Sequence, residues 1–179
     1  MDRSDMRRPL LFAFTGIAFF VFWSLAHPSF EMTASMTEWP QVLWFSATLL
    51  SLAVALPVFG RMMGSRWAVR LASIAGAGIG LSSIANIFED GFGIDAFFFA
   101  FILGNLILEV SLLVLTIVIA RTFRDRHKAL APIPAGTIAG IVLFVAAGGP
   151  VMLATWLGAA AAAVLMSGRT PIPATPATR

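Results

Sequence analysis

Hydrophobic positions run almost without interruption over residues 10–26, 40–60, 67–88 and 96–120, and a further apolar stretch covers residues 129–166. Each of the first four runs is of the length that carries a helix across the roughly 30 Å hydrocarbon core of a bilayer. The last stretch is too long for one crossing, and Gly148-Gly149-Pro150 breaks it where a tight turn belongs. It therefore divides into residues 129–147 and 150–167. The pattern predicts an all-α, polytopic transmembrane helical bundle of six spans in a single domain, residues 1–168. The tail, residues 169–179, is rich in Thr and Pro and is expected to be disordered.

Local signals refine these spans. Pro9 and Pro40 suit the first turn of a helix, where the missing N–H leaves no bond unmade. Trp39, Trp44 and Trp67 mark membrane–water interfaces, and Pro57 is placed to bend the end of the second span. The first span has a second reading. Its basic start, its apolar run and Ser24-Leu25-Ala26 also fit a signal peptide with a small-residue cleavage site. The run is longer than most such peptides require, which favours an uncleaved anchor.

Composition strengthens the membrane reading. Of 179 residues, 59% are hydrophobic and only 12% charged, against about a quarter charged in a soluble domain. Mean hydropathy is +0.89. The chain has no Cys, which excludes disulfides, thiol catalysis and thiolate metal sites. Arg strongly outnumbers Lys and Ala is abundant, an association with GC-rich bacterial coding sequences. The basic pI comes from loop arginines with no basic face on a soluble domain, so no nucleic-acid partner is expected.

Charge sets the orientation. With six spans, all 12 Lys and Arg residues fall on one side: the N-terminal segment, the loops after the second and fourth spans together with Arg70, and the tail. The positive-inside rule then places both termini in the cytoplasm, in a plasma-membrane protein. The opposite side carries Glu31, Glu38, Glu89, Asp90 and Asp95. These could gather cations at an entrance. The segment from Asp90 to Asp95 loosely matches a calcium loop, but Asp95 reads more simply as the N-cap of the fourth span, and no metal or other cofactor is expected.

One ionisable side chain lies near the bilayer centre. Glu109 sits close to the midpoint of the fourth span, where a charge costs about 2.5–3.5 kcal/mol on insertion scales. It shares a helical stripe with Asn105 and Thr116. The third span carries a stripe of small residues, Ser73, Gly76, Gly80 and Ser83, and the Gly76/Gly80 pair lets another helix approach closely. If these two spans form an antiparallel hairpin, equal depth sets Glu109 opposite Gly76 and Asn105 opposite Gly80. Gly136 and Gly140 give the fifth span a similar close-packing face. No Lys or Arg lies at the depth of Glu109.

Two uses of that site follow. Asn105, Glu109, Ser73, Ser83 and Thr116 could form a proton- or cation-handling site, or Glu109 could tie helices together by a hydrogen bond worth about 0.6–2 kcal/mol. His27 and His127 lie on opposite sides of the membrane, so they cannot share a metal or haem. No nucleophile–base–orienter set and no nucleotide motif appears. The sequence therefore points to a non-enzymatic accessory, scaffold or regulatory protein whose partners are the lipid bilayer and further copies or other membrane subunits. The alternative is a small proton- or cation-coupled transporter or channel-like protein using Glu109.

Overall fold

The computed structural model describes residues 39–122, 130–143 and 149–167, with Phe14 alone before them. All regular structure among the described residues is helical. It comprises α1 (Trp39–Met62), α2 (Arg66–Asn86), α3 (Phe98–Thr122), α4 (Pro132–Val142) and α5 (Gly149–Ser167). The expected first span with its signal-peptide alternative, the basic segment 123–128, both histidines and the tail lie outside the described residues.

Three segments are long and apolar enough to cross a membrane: Trp39–Met62, Arg66–Gly91 and Asp95–Thr122. At about 1.5 Å per residue each exceeds the hydrocarbon thickness, as in a helical membrane protein. They correspond to the expected second, third and fourth spans, with ends shifted by a few residues. Of the expected fifth span, residues 129 and 144–147 lie outside the described residues. Pro132 opens α4 in its first turn, and the helix has 11 residues, about 16 Å.

Short turns force the first three helices into an antiparallel meander. Between α1 and α2, the amide of Met63 donates to Gly60 O (3.2 Å) and that of Gly64 to Arg61 O (3.1 Å). Gly64 then takes φ 67°, a left-handed conformation that a side chain disfavours, and α2 begins two residues later. The α2–α3 connection is a π-helical turn, Ile87–Gly91, followed by a 3₁₀ turn, Asp95–Phe97. Asp95 is not the N-cap of α3. Ile94 takes the N-cap place before the 3₁₀ turn that Asp95 opens, and the Asp95 carbonyl accepts from the Phe98 amide.

The aromatic residues around this turn tie it to the start of α1. Trp39 meets Phe92 edge-on at 5.2 Å between ring centroids, and Phe88 stacks on Phe97 at 4.7 Å. The N-terminal end of α1 and the acidic α2–α3 turn therefore share one end of the bundle. Arg61, Arg66, Arg70 and Arg121 fall at the other end by the same topology. There the Arg70 guanidinium lies 5.6 Å from the Trp67 ring centroid, a cation–π contact at the helix end. α2 is the middle helix, packed on both α1 and α3, while α4 rests on α3 and α5.

Candidate functional site

The small-residue stripe of α2 faces α1. A Cβ built on Gly76 would lie 2.7 Å from the Ala53 carbonyl oxygen and 3.1 Å from Pro57 Cδ. Gly80 also looks towards α1, but more loosely, at 3.6 Å from Ala53 Cβ. Ser83 is buried and donates through Oγ to the Ser46 carbonyl (2.7 Å), and Asn86 Nδ2 donates to Ser46 Oγ (3.0 Å). Ser73, half-buried, is on the same stripe. The expected opposition of Gly76 to Glu109 and of Gly80 to Asn105 is therefore wrong. As the central helix, α2 has two packed faces, and this stripe belongs to the first.

Its second face meets α3 through residues the sequence reading passed over. A Cβ on Gly78 would fall 2.6 Å from Gly104 O and 3.0 Å from the Leu108 amide nitrogen. One on Gly104 would collide with the Ser82 hydroxyl and lie 2.8 Å from the Ser82 amide nitrogen. Ser82 is buried and donates through Oγ to the Phe101 carbonyl (3.0 Å). The two backbones thus approach closely over Gly78 and Gly104, with the small Ser82 side chain at the crossing. This is the small-x-x-x-small geometry of close membrane helix pairs. Its signal was present in the spacing of Gly78 and Ser82, which lie about 200° round the helix from Gly76 and Gly80.

α3 buries Gly104, Leu108, Ser111, Leu112, Leu115 and Ile119. Asn105, Glu109 and Thr116 lie beside that face and are half-buried. Asn105 Nδ2 donates to the Phe101 carbonyl (3.0 Å) and Thr116 Oγ1 to the Leu112 carbonyl (2.8 Å), both within α3 itself. No hydrogen bond or ion pair joins the Glu109 carboxyl to another described residue. The five residues expected to form one polar site therefore divide. Ser73 and Ser83 go to the α1 side of α2, and Asn105, Glu109 and Thr116 to a flank of α3.

In the smaller pair, Gly136 fits against Thr155, whose hydroxyl is held by a 2.7 Å bond to Val151 O; a Cβ there would meet Thr155 Oγ1. Gly140 is buried on the same helix. Trp156 is fully buried, and its indole Nε1 has no hydrogen-bond partner among the described residues. At the aromatic end, Asp90 and Asp95 lie close enough to Glu89 to repel its charge. Among the described residues no three His, Asp or Glu side chains converge as metal ligands.

No protein-family model matches the chain. No curated protein and no solved structure matches it either. All-helical architecture with apolar helices of membrane-spanning length, as in a membrane protein, is what structure and sequence together establish.

Proposed function

We propose that this chain is a six-span plasma-membrane protein with both termini in the cytoplasm, acting as a non-enzymatic accessory, scaffold or regulatory subunit. One observation carries this reading: among the described residues, the polar groups that do meet are helix-packing contacts, and none of them gathers around the mid-span acid Glu109. A site that moves protons or cations needs several polar groups around one point. Here Ser82, Ser83 and Asn86 serve helix contacts, while Asn105 and Thr116 bond their own helix. Glu109 is left alone on a flank. Such an arrangement suits assembly with another membrane protein better than conduction through this one.

The transporter reading retains one support, the half-buried mid-span carboxyl of Glu109. A liposome assay separates the two. Purified chain in vesicles with an internal pH-sensitive dye and an imposed gradient of protons or K⁺ should leak no faster than protein-free vesicles. Flux above that background, abolished by Glu109→Gln in a folded protein, would establish the transporter instead. Reporter fusions test the topology: one at the tail should read cytoplasmic and one after Met32 external.

A further inference from the structure

α3 is the least covered of the three long helices. Its outward flank has a regular pattern. Ile102, Leu106, Glu109, Leu113, Thr116 and Ala120 recur at spacings of four, three, four, three and four. This is the repeat of a left-handed helix–helix seam. Four of the six are exposed, and Glu109 and Thr116 are half-buried at the margin of the packed face. The seam is apolar except for these two residues, and Glu109 lies near the middle of the helix.

Lipid can cover Ile102, Leu106 and Leu113 without loss, but it offers nothing to a carboxyl at that depth. Asn105 Nδ2 and Thr116 Oγ1 each donate to an α3 carbonyl, and neither bonds Glu109. The strongest partner of a carboxyl is a Lys or Arg, which it meets through charge-assisted hydrogen bonds. The bases among the described residues lie at helix ends, at Arg61, Arg66, Arg70 and Arg121. A second copy does not help. It enters the membrane in the same orientation, so at the depth of Glu109 it presents another Glu109, with Asn105 one turn away, and no base.

We infer that this flank of α3 docks a transmembrane helix of a different membrane protein, one carrying a Lys or Arg at mid-membrane depth that pairs with Glu109. This rests on the accessory reading and names the chemistry of its partner. Ile102, Leu106 and Leu113 supply the apolar contact, and Glu109 sets depth and register, as one polar residue does in a coiled-coil seam.

Site-specific photo-cross-linking in cells that make the protein tests this. A photoreactive residue replaces Leu106 or Leu113, and cross-linked peptides are identified by mass spectrometry. The expected product is a transmembrane segment of another protein with a Lys or Arg within about one turn of the linked residue. Glu109→Gln should lower its yield about tenfold while leaving the thermal midpoint of the purified chain unchanged. Reversing both charges, Glu109→Lys with the partner's base changed to Glu, should restore the product. Cross-links to lipid alone, to a second copy alone, or to a span without a base would overturn the inference, as would a yield indifferent to Glu109→Gln. A partner span without a base leaves the accessory reading standing; ion flux by the purified chain alone removes that reading.

Discussion

α2 and α3 both carry polar side chains within apolar stretches, and they use them differently. On α2, Ser82, Ser83 and Asn86 reach across to neighbouring helices, to Phe101 O, Ser46 O and Ser46 Oγ. On α3, Asn105 and Thr116 turn back onto their own backbone, and Glu109 stands at the edge. The central helix thus spends its polarity on holding two neighbours, whereas on the outer helix the acid has no partner among the described residues. Polarity inside a membrane helix therefore has no fixed meaning; its use depends on which neighbours the helix already has.

The sharpest test of this contrast lies at the α2–α3 crossing. Gly104→Leu should cause the largest loss, about 3 kcal/mol or more, because the new side chain meets the backbone and hydroxyl of Ser82. Thermal unfolding in mild detergent reads it, and a midpoint within a degree of the parent would mean that the helices do not cross there. Next comes the inequality within one stripe. Gly76→Ala should destabilise by about 1–3 kcal/mol, since Ala53 O is backbone and Pro57 is rigid. Gly80→Ala should be neutral or slightly stabilising, having ordinary contact distance and better helix propensity. Similar effects at both positions would argue against the Pro57–Gly76 contact.

A smaller effect is expected at the α1–α2 hydrogen bonds. A double-mutant cycle of Ser46→Ala with Asn86→Leu should give a coupling of about 0.6–1.7 kcal/mol. Zero coupling would place these side chains apart. The smallest effect belongs to α3: Glu109→Gln, Asn105→Leu and Thr116→Val should each change stability of the isolated chain by less than about 0.5 kcal/mol. A large loss from Glu109→Gln would show that the acid already has a structural partner within the chain and would dissolve the contrast with α2.

Much of the fold was legible in the sequence. Apolar runs of spanning length became α1, α2 and α3, and Gly64 and Gly93, with φ 67° and 69°, lie in the short connections between them. Helix faces were not. In water, a polar face tells the reader which side points outward; in lipid, both sides are apolar and that signal is missing. Gly76 and Gly78 are two residues apart and look in nearly opposite directions, so the stripe through Gly76 was assigned to the wrong neighbour. Depth alone paired Glu109 with Gly76. Rotation about the helix axis, which depth does not constrain, brought Gly104 and Leu108 to α2 instead and left Glu109 on the flank.

Pro57 bears on how the bundle enters the membrane. Proline lacks the N–H that would ordinarily bond the carbonyl four residues earlier, which is that of Ala53, and Gly76 lies against that oxygen. Until α2 packs against it, that oxygen faces hydrocarbon, where an unpaired acceptor is costly; Gly76 lets α2 cover it closely without donating a hydrogen bond. We therefore expect α1 and α2 to leave the insertion machinery as a pair. Nascent chains truncated after Met62 should stay cross-linked to that machinery longer than chains truncated after Asn86, and Pro57→Ala should shorten the delay. Equal release of the short chains with and without Pro57 would rule out this order of events. The turn at Gly64 would then matter during synthesis as much as in the finished bundle: by joining the helices through so few residues, it brings Gly76 against Ala53 almost as soon as it is made.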